Sequence, residues 1–256
     1  MKQNHNKTFK FTDQNICLIG YGRFGEFFCK EVLPNKNLSV YTRHPEGKQF
    51  PPEITVYDNL QRAVKNADII IPAVPIGKFK EVIIGIAGYL KASAIFMDVC
   101  SVKNYPVEIM KTYLPPAVQI IASHPLFGPK YFEKKSTLAG SRMVMWNISA
   151  DKNIYSDLVQ FFRSLSIEII EINEQEHDKL TAQSQFFTHL VRYFAQEQGL
   201  HKTKIDTTAA DLLFDSFKCI GTNDQLLKDM IKYNPFCREV LNSSIKTLTE
   251  LQKTKL

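Results

Sequence analysis

The sequence predicts an α/β fold: a doubly wound, mostly parallel sheet followed by a region of helices only. Three observations carry this. Short β-rich runs alternate with helical patterns through the first two-thirds of the 256 residues, an order that calls for parallel strands covered by helices on both faces. Strand signals stop after Ile172. Between the first β-run and the first helical pattern stand three glycines at GxGxxG spacing, which makes the sheet Rossmann-type.

The elements follow in order. Strands are predicted at Ile16–Ile19, Leu38–Thr42, Ile54–Tyr57, Asp68–Val74, Ala94–Asp98, Gln119–Ser123, Arg142–Trp146 and Ile167–Ile172, each a short run of branched or aromatic residues between turn formers. Helical periodicity fills several gaps, at Gly25–Val32, Leu60–Lys65, Phe79–Tyr89 and Ile154–Leu165. A helix then starts at "NEQEHD", where Asn173 is the expected N-cap and Glu176 stands three residues on. The domain boundary is placed there, giving a nucleotide-binding domain over 1–173 and a helical domain over 174–256. In the helix from Glu174, Leu180, Phe187, Val191 and Phe194 form an apolar stripe expected to cover the sheet. Thr181, Ser184, Gln185, Thr188 and His189 gather on another face, and an uncharged polar stripe suggests a buried polar site or a subunit contact rather than solvent.

Composition narrows the function classes. Hydrophobic content of 44% and charged content of 23% are those of an ordinary globule. The longest apolar run, around Ala67–Ile76, is broken by Asp68 and two prolines, so no membrane span is expected. The N-terminal "MKQNHNKTFKFTDQN" lacks the apolar core of a signal peptide. Five scattered cysteines with no CxxC pair suggest neither a disulfide framework nor a zinc site, and a reducing cytoplasm is the expected location. Net charge is +8 over residues 1–150 and −2 over the remainder. The basic charges are dispersed, with no Lys/Arg block, so a domain that holds phosphates explains the bias better than nucleic-acid binding.

The glycine turn has a mechanism at each position. Gly20 permits the tight turn, Gly22 lets the backbone approach a pyrophosphate, and Gly25 lets the helix pack against the strand. Arg23 and Phe24 complete the turn, where the helix N-terminus offers N–H groups to phosphate. At the end of the second strand, an NAD site usually places an acid on the ribose 2′-hydroxyl. This chain reads "SVYTRHPEG" there, with no acid before Glu46. Arg43 suits a 2′-phosphate and Thr42 can hydrogen-bond to it, which favours NADP; the alternative is an arginine that simply lies on the surface.

Three further segments, "FMDVCSVKNYPVEIM" (96–110), "IIASHPLFGP" (120–129) and "EQEHDKLTAQSQFFTHLVRYF" (174–194), carry polar residues past predicted strand ends, where open α/β sheets bind ligands. By position alone His124 is either a proton acceptor or a loop hydrogen-bonder, and Ser101 either a ligand contact or the N-cap of a following helix. With the glycine turn, these strings resemble the prephenate/arogenate dehydrogenase family of tyrosine biosynthesis. The D-V-x-S-V-K and H-P-x-F-G-P strings are specific in combination, the resemblance runs from about residue 14 to about residue 240, and "SQF-x-TH" is similar to the plant-type arogenate enzymes.

The resemblance implies an NADP-linked homodimer that oxidatively decarboxylates arogenate or prephenate, with no nucleic-acid or membrane partner. It implies His124 as the catalytic base and Ser101 at the substrate hydroxyl, with Lys103 and Asp98 supporting the loop. His189, and more weakly Gln185, are implied at the substrate. Asp206 matches an acid near the substrate amine, although it precedes a helical run and could serve as an N-cap. Many bacterial relatives hold a substrate carboxylate with the arginine of an Asp-x-x-Arg pair; here the stretch is Asp215-Ser216-Phe217-Lys218, and Lys218 is a point charge without the bidentate fork. Rival readings are another NADP oxidoreductase of β-hydroxyacid or imine type, and a catalytically silent NADP-binding regulator. The stretch to Leu256 is short for a further domain, so tyrosine inhibition is expected at the active site, competitive with arogenate and weakened by Asp206→Asn.

Overall fold

A computed structural model describes residues 9–33, 37–220 and 224–253. The first eight residues, on which part of the N-terminal reading falls, lie outside the described residues, as do 221–223 of the late segment. The chain divides into two units. One comprises Met1–Cys100 with Glu108–Ile172; the other comprises Ser101–Val107 with Asn173–Leu256.

The first unit is built on an eight-stranded sheet in the order β3-β2-β1-β4-β5-β6-β7-β8. Its strands are β1 Ile16–Ile19, β2 Leu38–Tyr41, β3 Thr55–Tyr57, β4 Ile69–Pro72, β5 Ile95–Met97, β6 Gln119–Pro125, β7 Arg142–Asn147 and β8 Glu168–Ile170. All neighbours are parallel except β6 and β7, where His124 stands opposite Val144. Ile16 of β1 pairs with Leu38 on one side and Ile69 on the other. Every residue of β1 and β4 is buried. That is why both read as unbroken apolar runs: a central parallel strand has no solvent face.

The helices of this unit are α1 Arg23–Phe27, continued by a π-helical turn Phe28–Val32, then α2 Leu60–Val64, α3 Phe79–Ile86, α4 Asn104–Tyr113, α5 Pro129–Lys135 and α6 Lys152–Ser164; the first four residues of α4 belong to the second unit. Phe27 of α1, Phe28 and Val32 of the π-helical turn, and Leu158, Val159 and Phe162 of α6 complete the core, with the Phe11 and Phe161 rings 4.2 Å apart. Helix α5 is absent from the sequence reading, and α4 enters it only as an unbounded helix after Ser101. Each has a proline in its first turn, Pro106 and Pro129, where its missing N–H has no intrahelical acceptor to lose.

The second unit holds α7 Glu174–Thr181, a π-helical segment Ala182–Phe186, α8 Phe187–Glu197, α9 Thr208–Phe217, α10 Gln225–Tyr233 and α11 Pro235–Lys253. Asn173 caps α7 as its sequence position predicts: its Oδ1 accepts the Glu176 N–H at 3.0 Å. The expectation for the apolar stripe is not met. Leu180, Phe187 and Phe194 are 49%, 47% and 53% exposed. The face turned inward carries Asp178, Thr181, Ala182, His189 and Arg192 instead; Asp178 accepts the Lys103 N–H, Thr181 lies against His177 and Arg192 donates to Gln196. The polar stripe is also split, since Ser184 and Thr188 lie on the exposed side and bond back to the carbonyls of Leu180 and Ser184.

Among the described residues no helix is long and apolar enough to cross a membrane, and no cluster of three His, Cys, Asp or Glu could hold a metal ion.

Candidate active site

The glycine turn is built as its spacing predicts. Gly20 has φ +104° and donates its N–H to Tyr41 O at 2.8 Å, and a Cβ there would stand 2.4 Å from Ala73 O. A Cβ on Gly25 would stand 2.1 Å from Gly20 O, so helix and turn touch backbone to backbone. Gly22 is different: a Cβ there would meet nothing within 4 Å. Its backbone opens on a cleft at the carboxyl ends of β1, β2 and β4, lined by Gly20, Thr42, Arg43, Ala73 and Val74 among others. Ligands in sheets of this order bind at that edge, where the strand order reverses next to β1. The open space at Gly22 is the room a pyrophosphate needs, and no side chain caps the start of α1, so the residues present fit a dinucleotide.

Arg23 and Phe24 offer that site only their backbone. The Arg23 guanidinium pairs with Glu133 at 3.3 Å, and the Phe24 ring stacks on Phe28 with centroids 5.5 Å apart. The far end of the cleft is basic. Arg43, His44, Lys48 and Lys78 line it against one acid, Glu81, whose carboxyl is held below its usual range mainly by its bond to Lys78 at 2.7 Å. Arg43 is exposed and Thr42 buried. The segment after Arg43 folds over Tyr21, whose hydroxyl donates to Gln49 O at 3.2 Å while the Lys48 ammonium bonds Tyr21 O.

At the same carboxyl edge, buried Asp98 follows β5 and ties it to β6. Its Oδ2 accepts the Cys100 N–H at 3.0 Å, and its Oδ1 accepts the Ser123 N–H at 3.1 Å. This bonding fixes the backbone next to His124, itself buried within β6. Strands β1, β4, β5 and β6 run parallel, so His124 lies toward the sheet edge on which the glycine turn sits.

The second unit orders the Ser101–Val107 stretch. The Asp178 carboxylate accepts the N–H groups of Lys103 at 2.7 Å and Asn104 at 2.9 Å, and the Asn104 amide at 2.8 Å. His177 Nδ1 lies 2.9 Å from the same carboxylate. Ser101, three residues before α4, therefore does not cap that helix; Asp178 serves its first N–H groups. Asp206 is not an N-cap either, because Thr207 caps α9 through Ala210 N at 3.3 Å. One Asp206 oxygen accepts the Thr203 hydroxyl at 2.6 Å, and the other is shielded and unpartnered. Lys218 is exposed and bonds Asp215 at 2.7 Å. Gln185 is half-buried and His189 buried; Gln185 Oε1 and His189 Nδ1 have no hydrogen-bond partner. Burial, then the nearby Arg192 charge, lowers the His189 pKa, so the ring is neutral at neutral pH.

Residues 29–142 match the family described as "Prephenate dehydrogenase, nucleotide-binding domain". The chain carries this nucleotide-binding domain, and the curated relatives it matches are named arogenate/prephenate dehydrogenases. It is 26% identical to the probable arogenate/prephenate dehydrogenase of Methanocaldococcus jannaschii, over 96% of this chain and 58% of that protein. It is 24% identical to the chloroplastic arogenate dehydrogenase 2 of Arabidopsis thaliana, over 88% of this chain and 65% of that protein. The chain thus spans about three-fifths of the length of these curated relatives. Its fold is shared with the prephenate dehydrogenase of Aquifex aeolicus, at TM-score 0.71 and 17% identity, over 94% of this chain and 91% of that one. A nucleotide-binding domain of this family implies a nicotinamide cofactor. Sequence reasoning missed Asp178 and Arg192. The only signals for them were an acid at the fifth position of a helix with an acidic first turn, and an arginine one turn beyond His189.

Proposed function

We propose that this chain converts arogenate to tyrosine and CO2 with NADP as hydride acceptor. The observation that carries the reading is the buried His124 at the carboxyl edge of a parallel sheet whose first strand ends on the open glycine turn. The basic end of the cleft, with Arg43 beside Thr42, supports NADP over NAD. Glycines 20, 22 and 25, with the backbone at Arg23 and Phe24, would hold the pyrophosphate.

His124 takes the proton of the substrate C4 hydroxyl as that carbon is oxidised, the work of a positioned general base. Hydride acceptance from C4 is the chemistry the bound cofactor supplies. The bond between C1 and its carboxylate then breaks, CO2 leaves, the electron pair completes the aromatic ring, and the C4 oxygen takes the proton back from His124. Ser101 hydrogen-bonds the substrate hydroxyl. Gln185 and His189 bind the substrate, and Asp206, with one unpartnered oxygen, faces the ammonium that arogenate has and prephenate lacks. The exposed Leu180, Phe187 and Phe194 stripe is proposed as the surface of a homodimer, because three large apolar side chains in line favour burial against a second copy.

The test is a steady-state comparison of arogenate and prephenate, each with NAD and NADP. The reading expects the highest kcat/KM for arogenate with NADP. A preference for prephenate would overturn the substrate assignment, and no reduced cofactor with either substrate would leave a non-catalytic NADP-binding regulator.

A further inference from the structure

The inward face of the π-helical segment and of α8 holds a row of buried polar atoms without partners: Gln185 Oε1, His189 Nδ1 and Arg192 Nε. Spacings of four and three residues put them on one side of the helix, spread over roughly 10 Å at about 1.5 Å per residue. Arg192 is 5% exposed. Its Nη1 donates to Gln196 Oε1 at 2.6 Å and its Nη2 pairs with Asp224, whose side chain is 22% exposed. Two anchors thus fix the guanidinium plane and leave the Nε–H without an acceptor. A buried donor in that state is costly unless something outside the chain completes it.

We propose that Arg192 Nε binds the side-chain carboxylate of the substrate, making Arg192 a specificity-determining residue of this enzyme; the proposal rests on the reading above. The chemistry of the row selects the ligand. A guanidinium edge matches a planar carboxylate and keeps its charge when buried. Neutral His189 next to it offers a hydrogen bond rather than a competing positive charge. Gln185 Oε1 accepts from a hydroxyl or ammonium farther along. Lys218, the cation that the sequence resemblance brings to this role, is a poorer candidate. Its side chain is 75% exposed and already bonds Asp215, so water screens its charge.

The probe pair is 3-(4-hydroxyphenyl)propanoate and its neutral amide, titrated calorimetrically into the full chain saturated with NADP. Wild type should bind the acid about tenfold to a hundredfold more tightly than the amide, the usual value of a charge-assisted contact. Arg192→Gln should reduce that preference to about threefold or less, Arg192→Lys should keep part of it, and Lys218→Gln should leave it unchanged. A purely structural role would weaken acid and amide together. Retention of the full preference in Arg192→Lys and Arg192→Gln, its loss in Lys218→Gln, or no preference in wild type would each overturn the proposal. Reduced-cofactor formation by wild type with arogenate or prephenate is assayed alongside. Its absence would remove the parent reading, whereas turnover with a preference indifferent to Arg192 would remove only this inference.

Discussion

The Asp178 carboxylate accepts the backbone N–H of Lys103 at 2.7 Å across 75 residues of sequence. It also takes the N–H of Asn104, so one fully buried acid from α7 closes the first turn of α4. A carboxylate has only acceptors to offer, which is what a helix N-terminus lacks.

Asp178→Asn would place an amide donor against at least one of those N–H groups. The expected loss is about 3 kcal/mol, since a buried donor left unsatisfied costs that order of energy. Urea unfolding measures it. A change below about 0.5 kcal/mol would show that the acid is not what holds Ser101–Val107 in place.

The glycine turn gives a paired prediction. Gly25→Ala forces a Cβ to 2.1 Å from Gly20 O and should destabilise the fold by roughly 1–3 kcal/mol. Gly22→Ala meets open space within the chain, so its melting temperature should stay near wild type while NADP affinity falls. Unimpaired NADP binding by Gly22→Ala would mean that the pyrophosphate lies elsewhere.

Arg43→Ala should raise KM for NADP by about tenfold to a hundredfold, the value of a charge-assisted contact to phosphate, and leave KM for NAD nearly unchanged. Equal losses with both cofactors would remove Arg43 from 2′-phosphate recognition.

The lowered His189 pKa has a consequence for stability. Burial is the main cause, with the Arg192 charge adding to it and Asp224 opposing. The unfolded chain therefore binds this proton more tightly than the folded one. The contribution is fully present above the ordinary histidine value of 6.5 and is lost as pH falls below it. Thermal unfolding from pH 8 to pH 5 should show a shallower acid decline for His189→Gln than for wild type. Parallel curves would contradict a buried neutral ring.

Much of the sheet was legible because central parallel strands must be apolar throughout. Ile16–Ile19 agrees with its predicted bounds, and Ile69–Pro72 lies within a longer predicted run. The edges were legible only to a residue or two, as hydrogen bonding rather than hydrophobicity ends a strand. The glycine positions were legible because only backbone contact explains Gly20 and Gly25. The inward face of α7 and α8 was not. The rule that apolar faces turn inward points to Leu180 and Phe187, whereas buried Asp178 and Arg192 are stabilised by partners 74 and 32 residues away, at Asn104 and Asp224. Such pairings leave no periodic trace in a sequence.

The central claim is that His124 acts as the base in an NADP-linked oxidation of arogenate, and one assay addresses it: NADPH and tyrosine formation from arogenate by wild type and by His124→Asn. Wild type should form the two products in equal amounts. The variant should lose about two to four orders of magnitude in kcat, the usual contribution of a positioned base, with NADP affinity unchanged because the phosphates lie at the glycine turn. Near-normal turnover by His124→Asn would contradict the account.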